Sequence, residues 1–296
     1  MKYTRIVEIT GGLGNQMFQY AFGKYLSQKY PNDVIKYDLG YYSAKNAIRE
    51  YELNKAFGLE IQEATPSDIR SIRGYNPQDS TAKKAIFKLL NSQKKVCVIT
   101  EDLDRSFDEK YISTNNDAYY SGYWQNEKYF DIFRNDILNS FSFKINDLSE
   151  DGRLIVDEIK KSNSVSVHVR LEDYLNEDNF RIYGNICTRE YYGKALAYIK
   201  EKIPDCKFFL FSTEIEKALA ILPSEYEYIP VKYCGQKGNL DMYMMTKCRH
   251  NIIANSTFSW WGAWLNRNSE KIVVCPNRWF NNHSVNNQLC EDWIKF

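Results

Sequence analysis

Asn251-Ile252-Ile253-Ala254-Asn255-Ser256-Thr257-Phe258-Ser259-Trp260-Trp261-Gly262-Ala263-Trp264-Leu265 is the stretch on which the fold turns. Its first four residues form a short apolar run that reads as a buried strand, and a helix carrying three tryptophans follows. Three hydroxyl side chains, Ser256, Thr257 and Ser259, stand at the junction. A strand that turns into a helix there offers unpaired backbone N–H groups, a positive dipole end and hydroxyl donors, which together suit a phosphate. An ordinary Ser/Thr cap ahead of an aromatic core stripe uses the same residues. Both readings stand at this point.

Outward from that junction, strand-like runs at 164–169, 207–211, 226–231, 251–254 and 272–275 alternate with helical patterns at 189–202, 214–222, 240–247 and 257–266. Such alternation means a parallel sheet with right-handed crossovers. The first half opens in the same way. A strand at 5–9 meets Gly11-Gly12-Leu13-Gly14, a helix follows over 15–28, and a second strand at 34–37 closes on Asp38. Residues 41–80 are irregular, and a lysine-rich helix is expected over 81–95. Strands follow at 96–100 and 119–124, then a helix over 127–140. At 296 residues the chain is long enough for two domains of about 150 residues each. The boundary is expected within 148–163, giving an N-terminal α/β domain at 1–155 and a C-terminal one at 156–296. The expected fold class is α/β, two Rossmann-like domains with parallel sheets facing across a cleft.

A net charge of +1 lacks the positive excess of a nucleic-acid binder. Cys97, Cys187, Cys206, Cys234, Cys248, Cys275 and Cys290 are dispersed without a C-x-x-C pair. That pattern suits reduced thiols and opposes a disulfide framework or a zinc site. No signal-peptide pattern opens the chain, and no apolar run approaches the ~20 residues of a membrane span. A soluble protein without an anchor is expected. The basic helix reads as a solvated face or as a contact with an anionic membrane surface.

Ligands of open parallel sheets bind beyond the carboxyl ends of the strands, and the candidate residues sit at such ends. In Ser164-Val165-Ser166-Val167-His168-Val169-Arg170, period two places His168 and Arg170 on the face opposite the valines. A guanidinium there supplies a planar fork for a diphosphate; pairing with Glu172 or Asp173 is the structural alternative. The loop Gly11-Gly12-Leu13-Gly14-Asn15-Gln16 lets backbone approach a ligand, yet Met17 occupies the third glycine position of a dinucleotide fingerprint and no G-K-[ST] follows. Ser212 and Thr213 end a strand and serve either a base and ribose or a helix cap. Asp102-Leu103-Asp104 matches the Asp-x-Asp of metal-dependent glycosyltransferases, a short signal in an acid-rich chain. His250 and His283 lack partners at metal spacing.

Several of these segments together resemble glycosyltransferase family 11, the α-1,2-fucosyltransferases. The resemblance rests on the opening block 11–21, on Gly122-Tyr123-Trp124-Gln125-Asn126-Glu127-Lys128-Tyr129-Phe130, and on His168-Val169-Arg170 with Asp173-Tyr174. It rests also on Asp241 through Met245 with Cys248, His250 and 251–264. It implies a GT-B architecture and an inverting, metal-independent transfer of L-fucose from GDP-fucose to the 2-hydroxyl of a galactoside, with no cofactor beyond the donor itself. It implies donor contacts at Gly12, Gly14, Asn15, Gln16, His168, Arg170, Ser212, Thr213, Asp241, Asn255, Ser256, Thr257, Phe258 and Ser259. Acceptor contacts are implied at Tyr123, Trp124 and Gln125, and a catalytic role at Arg170; Asp38, Asp173 and Glu172 are candidates for the general base, Asp38 and Asp173 ahead because the family pattern has acids there. The family's donor motif carries a second arginine where this chain has Leu171, followed by Glu172. That departure leaves open another GDP-deoxysugar such as GDP-colitose, or a carbohydrate- or nucleotide-binding protein without catalysis. A bacterial-type, cytoplasmic enzyme of surface-polysaccharide assembly is expected, acting on a glycan or lipid-linked acceptor at the inner face of the membrane.

Overall fold

The computed structural model describes residues 2–44, 47–90, 97–171, 177–231, 238–281 and 287–296. The chain divides into two units, Met1–Ser142 and Phe143–Phe296. The first runs β1 (Thr4–Glu8), α1 (Leu13–Lys29), β2 (Val34–Asp38), α2 (Gly40–Ser43), α3 (Leu53–Phe57), α4 (Pro66–Arg73), α5 (Thr81–Leu90), β3 (Val98–Thr100), β4 (Ala118–Ser121) and α6 (Arg134–Ser140). The second runs α7 (Glu150–Lys161), β5 (Ser164–His168), α8 (Glu177–Tyr183), α9 (Arg189–Lys202), β6 (Lys207–Phe211), α10 (Ile215–Ile221), β7 (Tyr228–Pro230), α11 (Gly238–Lys247), β8 (His250–Ile252), α12 (Thr257–Trp264), β9 (Val273–Cys275) and β10 (Ile294–Lys295).

Both sheets are parallel among the described residues. The first has the order β2-β1-β4-β3. The second has the order β10-β9-β8-β5-β6-β7. Counted within its own unit, that is 6-5-4-1-2-3, the doubly wound order of dinucleotide-binding sheets. From β5 the chain builds outward through β6 and β7, then crosses back to lay β8 on the other side of β5. The carboxyl ends of β5 and β8 therefore flank a topological switch point, where ligands of such sheets bind. In the first unit the reversal falls between β1 and β4.

The expected parallel α/β class holds in both units, and the mechanism of burial explains the sequence pattern. β5 is buried along its whole length, as a strand covered by helices on both faces must be. Val165 and Val167 pack with Tyr191, Tyr192, Leu196 and Ile199 of α9 on one face. On the other, Phe209 and Phe211 of β6 meet Val156 and Ile159 of α7 and Met244 of α11. Those contacts place α7, which spans the expected junction at 148–163, in the second unit. In the first, Arg5 is fully buried. It donates to Asp33 at 2.7 Å, to the Tyr120 hydroxyl at 2.7 Å and to the Thr114 carbonyl.

Two expectations change. The strand expected at 119–124 stops at Ser121, because Trp124 adopts φ 55°. The helix expected at 127–140 is two 3-10 turns followed by α6. Helix α8 and strand β10 had no periodic signal. Cys234, His283 and the end of the lysine-rich stretch, Lys94 and Lys95, lie outside the described residues.

Candidate active site

Helix α12 starts just past the carboxyl end of β8, at the second unit's switch point. Its C-terminal carbonyls are satisfied by a cation: Lys271 Nζ donates to Ala263, Trp264 and Asn266 at 2.7, 3.3 and 2.9 Å. Its N-terminus is treated differently. Ser256 takes the N-cap position in an extended conformation, yet its side chain makes no capping bond, and the first turn holds no acidic residue. Elsewhere Thr65, Ser149 and Thr188 cap α4, α7 and α9 through their hydroxyls. Among the described residues, the positive dipole end of α12 thus has no side-chain cap of its own.

The end of β5 meets this helix. The His168 ring lies 5.7 Å from that of Phe258. Burial, reinforced by the neighbouring Arg170 charge, lowers the His168 pKa to about 3, so the imidazole is neutral near pH 7. Its Nδ1 is buried without a hydrogen-bond partner. Arg170, two residues past the strand, is half-buried. A Cβ placed on Gly238 would lie 3.6 Å from the Phe258 ring, so the start of α11, which carries buried Asp241, borders the same point. Ser212 is buried at the end of β6 and accepts from the Glu214 N–H at 3.3 Å, while Thr213 is half-buried. Strand ends β5, β6 and β8 thus bring His168, Arg170, Ser212, Thr213, Ser256, Thr257 and Phe258 to one edge of the sheet.

Not every residue of the opening motif faces outward. Asn255 donates to the Tyr183 and Trp279 carbonyls at 3.1 and 3.2 Å and accepts from the Cys187 thiol. Its amide ties α8 and the 279 segment to β8. Ser259 is fully buried and donates back to the Ala254 and Ser256 carbonyls. Both side chains hold the junction in shape, whereas Ser256, Thr257 and Phe258 form its mouth. Beneath it, Asn251 Nδ2 donates to Ser166 Oγ at 2.7 Å and to the Met245 carbonyl at 3.0 Å, and Asn251 Oδ1 accepts from Asn266 at 2.8 Å. That amide bridges β5, α11 and the segment after α12. Gly262 lets α11 and α12 close: a Cβ there would lie 3.1 Å from Met245 Cβ.

In the first unit the glycine loop is a locked junction. Gly11 has φ 77°, and a Cβ there would come 2.7 Å from Asn15 Nδ2, so it is the glycine the turn requires. Gly12 caps α1 and Gly14 lies in its first turn. Gln16 is buried and its amide is engaged: Nε2 donates to the Gly11 and Glu50 carbonyls, and Oε1 accepts from Glu52 N–H. The Glu52 carboxylate itself accepts from the Leu13 N–H, with Arg49 nearby. The α1 dipole end is therefore met by a carboxylate of the chain. Asn15 Oδ1 accepts from Gln125 at 2.9 Å, and Gln19 donates to the Gly122 carbonyl at 2.9 Å. These bonds join the glycine loop to 122–125 across the β1–β4 switch point.

Trp124 sits in a left-handed conformation that a bulky residue rarely adopts. Its ring is fully buried, stacked on Phe22 at 4.0 Å and edge-on to Tyr111, Tyr120 and Tyr129. Trp124 is thus a core side chain, while Tyr123, 37% exposed, stands outside with the Arg105 guanidinium 4.8 Å from its ring centre. Arg105 also donates to Gln125 Oε1. Glu101 holds the bend, its Oε2 accepting from the Tyr123 and Trp124 N–H groups at 2.7 and 2.9 Å. Burial raises the Glu101 pKa against those bonds and the Arg105 charge. Glu101, Glu52 and Lys271 had no motif to announce them; each acts through distant backbone that only the fold brings near.

Asp38 is buried at the end of β2. Its Oδ2 accepts from the Tyr119 hydroxyl at 2.7 Å and its Oδ1 from the Gly40 N–H at 2.8 Å. Asp173, with Glu172, lies outside the described residues. Asp102 is exposed and paired with Lys110 at 2.9 Å, while Asp104 caps a turn at Ser106. The two carboxylates thus serve separate local contacts. Among the described residues no group of three His, Cys, Asp or Glu is placed to hold a metal ion, and no helix is long and apolar enough to cross a membrane. His250 accepts from the Ile272 N–H through Nδ1 at 3.0 Å, tying β8 to the start of β9.

The sequence model described as glycosyl transferase family 11 matches residues 89–295. The chain is 32% identical to an Escherichia coli alpha-1,2-colitosyltransferase over 98% of each chain. It is 30% identical to the Escherichia coli O-antigen biosynthesis glycosyltransferase WbnK over 97% of this chain and 98% of that one. It is also 29% identical to rat galactoside alpha-(1,2)-fucosyltransferase 1, over 36% of this chain and 29% of that one.

Proposed function

The chain belongs to glycosyl transferase family 11, and from that premise we propose that it transfers L-fucose from GDP-fucose to the 2-hydroxyl of a galactoside in a bacterial surface glycan. The observation that supports the donor half is at the second unit's switch point, where the His168 ring at the end of β5 lies 5.7 Å from the Phe258 ring of α12, with Arg170 two residues on.

In the transfer, the bond between sugar C1 and the β-phosphate oxygen breaks, and its electron pair leaves on GDP. The acceptor oxygen attacks C1 from the opposite face and its proton passes to a base, so configuration inverts. Charge grows on the β-phosphate as C1 becomes oxocarbenium-like. Fixed donors aimed at that charge lower the barrier without rearranging during the reaction. Arg170 supplies a planar fork, and the Thr257 and Phe258 amides with the Ser256 and Thr257 hydroxyls supply the rest. Neutral His168, its ring 5.7 Å from that of Phe258, adds a donor or acceptor without adding charge. Ser212, Thr213 and Asp241 take the nucleoside end. The chemistry asks for no metal in this scheme. Tyr123 and Gln125 take the acceptor side, with Asn15 bonded to Gln125. Asp38 and Asp173 are the candidate bases; the Tyr119 and Gly40 bonds on Asp38 fix its orientation.

A second reading has its own support. One of the two relatives above that match nearly the whole chain is named a colitosyltransferase, and Leu171 stands where the family's donor motif carries a second arginine. Colitose lacks one hydroxyl of fucose, and a pocket with one cation fewer suits a donor with one polar group fewer. The test is incubation with GDP-fucose or GDP-colitose and a β-galactoside, in the presence of a chelator, with GDP release and product linkage followed by NMR. An α-1,2 product from GDP-fucose supports the first reading, and one from GDP-colitose alone supports the second. No GDP release from either donor, or release abolished by the chelator, removes both.

A further inference from the structure

Helix α5 is turned the wrong way for a surface helix of a water-soluble domain. At about 100° per residue, Ala82, Ala85, Ile86 and Leu89 fall within one arc of about 100°. All four are exposed, Ile86 by 56% and Leu89 by 76%. The opposite side of the helix is the half-buried one, carrying Lys84 and Phe87. Phe87 receives the Arg70 guanidinium of α4 at 4.7 Å from its ring centre, and Asp79 fixes Arg70 through both carboxylate oxygens. Ser80 starts the helix, its carbonyl accepting from the Lys84 N–H and its hydroxyl from the Lys83 N–H. An ordinary amphipathic helix directs its apolar stripe at the core; here a cation–aromatic contact anchors the inner face and the aliphatic stripe points outward.

The charge around that stripe is one-sided. From Thr81 to Thr100 the sequence contains Lys83, Lys84, Lys88, Lys94 and Lys95 and no acidic residue. The whole chain carries a net charge of only +1, so this segment holds a local excess several times the total. An exposed aliphatic arc in a segment whose sequence carries only positive charge is the pattern of a helix that lies in the plane of an anionic lipid surface, its aliphatic side chains among the acyl chains and the charge at the phosphates. We infer that α5 docks the protein onto an anionic bilayer through Ile86 and Leu89, with the one-sided positive charge of the Thr81–Thr100 sequence supplying the electrostatic part. A second copy of the chain fits the site less well, because a two-fold contact there would bring two lysine-rich segments together. The inference does not depend on which sugar is transferred, since none of these residues has a place in the transfer scheme.

The test is flotation of the full-length protein with vesicles of phosphatidylcholine containing phosphatidylglycerol, and with phosphatidylcholine alone. The wild-type protein is expected to float with the anionic vesicles, to do so less as salt is raised, and to stay largely unbound to the neutral ones. The Ile86→Ser/Leu89→Ser variant is expected to bind the anionic vesicles at least about tenfold more weakly. Its circular dichroism and its transfer to a soluble galactoside should be unchanged. No flotation of the wild type overturns the inference, as does equal flotation of the variant. Light scattering that shows a wild-type dimer and a monomeric variant, without vesicle binding, overturns it in favour of a second copy.

Discussion

Replacing Asn251 with alanine removes the amide that joins β5, α11 and the segment after α12, and its cost can be worked from the geometry. Three hydrogen bonds disappear, at 2.7, 3.0 and 2.8 Å, all between buried groups. At about 1 kcal/mol net for each, the bonds account for about 3 kcal/mol. The consequences for the partners differ. Asn266 Nδ2 keeps the Cys248 carbonyl at 2.8 Å, and the Ser166 hydroxyl can rotate. The Met245 carbonyl, in contrast, loses a side-chain donor, which adds about 1 kcal/mol. The expected total is about 4 kcal/mol, a large share of the roughly 5–15 kcal/mol by which a folded domain is stable. With a urea slope of about 3 kcal/mol/M, the midpoint followed by circular dichroism should fall by more than about 1 M. By the same count Asn266→Ala, which loses its bonds to the Cys248 carbonyl, Asn251 and the Asn268 N–H, should cost a similar amount, and the double variant less than the sum, because the two share a bond. A midpoint within about 0.3 M of wild type would refute the claim that this amide holds the switch-point strands together.

Three further outcomes follow from the site. Arg170→Lys keeps the charge and loses the fork, so turnover should fall by about 100-fold or more, the scale of losing one fixed donor to a developing oxyanion, with the fold intact; wild-type-like turnover would take Arg170 out of the mechanism. His168 and His250 both have pKa values lowered by burial, His168 to about 3, so the unfolded chain binds more protons below pH ~6.5 and stability must fall as pH drops through that window. For His168 alone the loss at pH 5 is about 2 kcal/mol, and His168→Gln should flatten the slope of urea midpoint against pH; an unchanged slope counts against a neutral, buried imidazole. Glu101→Gln weakens the hold on the Tyr123 and Trp124 N–H groups while relieving a buried charge, so stability should change by less than about 1 kcal/mol while KM for the acceptor rises; an unchanged acceptor KM would separate the 122–125 loop from acceptor binding.

How far the sequence reaches is visible in particular residues. The parallel class, β6 and α9 could be read directly, because alternating apolar runs and helical stripes report burial, and burial is what a doubly wound sheet imposes. The strand ends of the second unit were legible for the same reason: His168 and Arg170 fall at a strand terminus by counting in twos. Within 255–259 the sequence could not tell which hydroxyls and amides face outward. Asn255 and Ser259 are spent on carbonyls of distant or preceding turns, and no local pattern encodes where Tyr183 or Trp279 will lie. Trp124, an acceptor contact by resemblance, is packed against Phe22, since its left-handed backbone, held by Glu101, turns the ring inward. Gln16 looked available to a phosphate and is occupied by the 50–52 backbone.

The central claim is that the diphosphate of the donor lies at the β5–β8 switch point of the second unit. A crystal structure of the protein with GDP tests it most directly. The account predicts phosphate oxygens within hydrogen-bonding distance of the Arg170 guanidinium and of the Thr257 or Phe258 amides. A diphosphate bound instead on the 11–16 loop, with Arg170 turned away from it, would contradict the account.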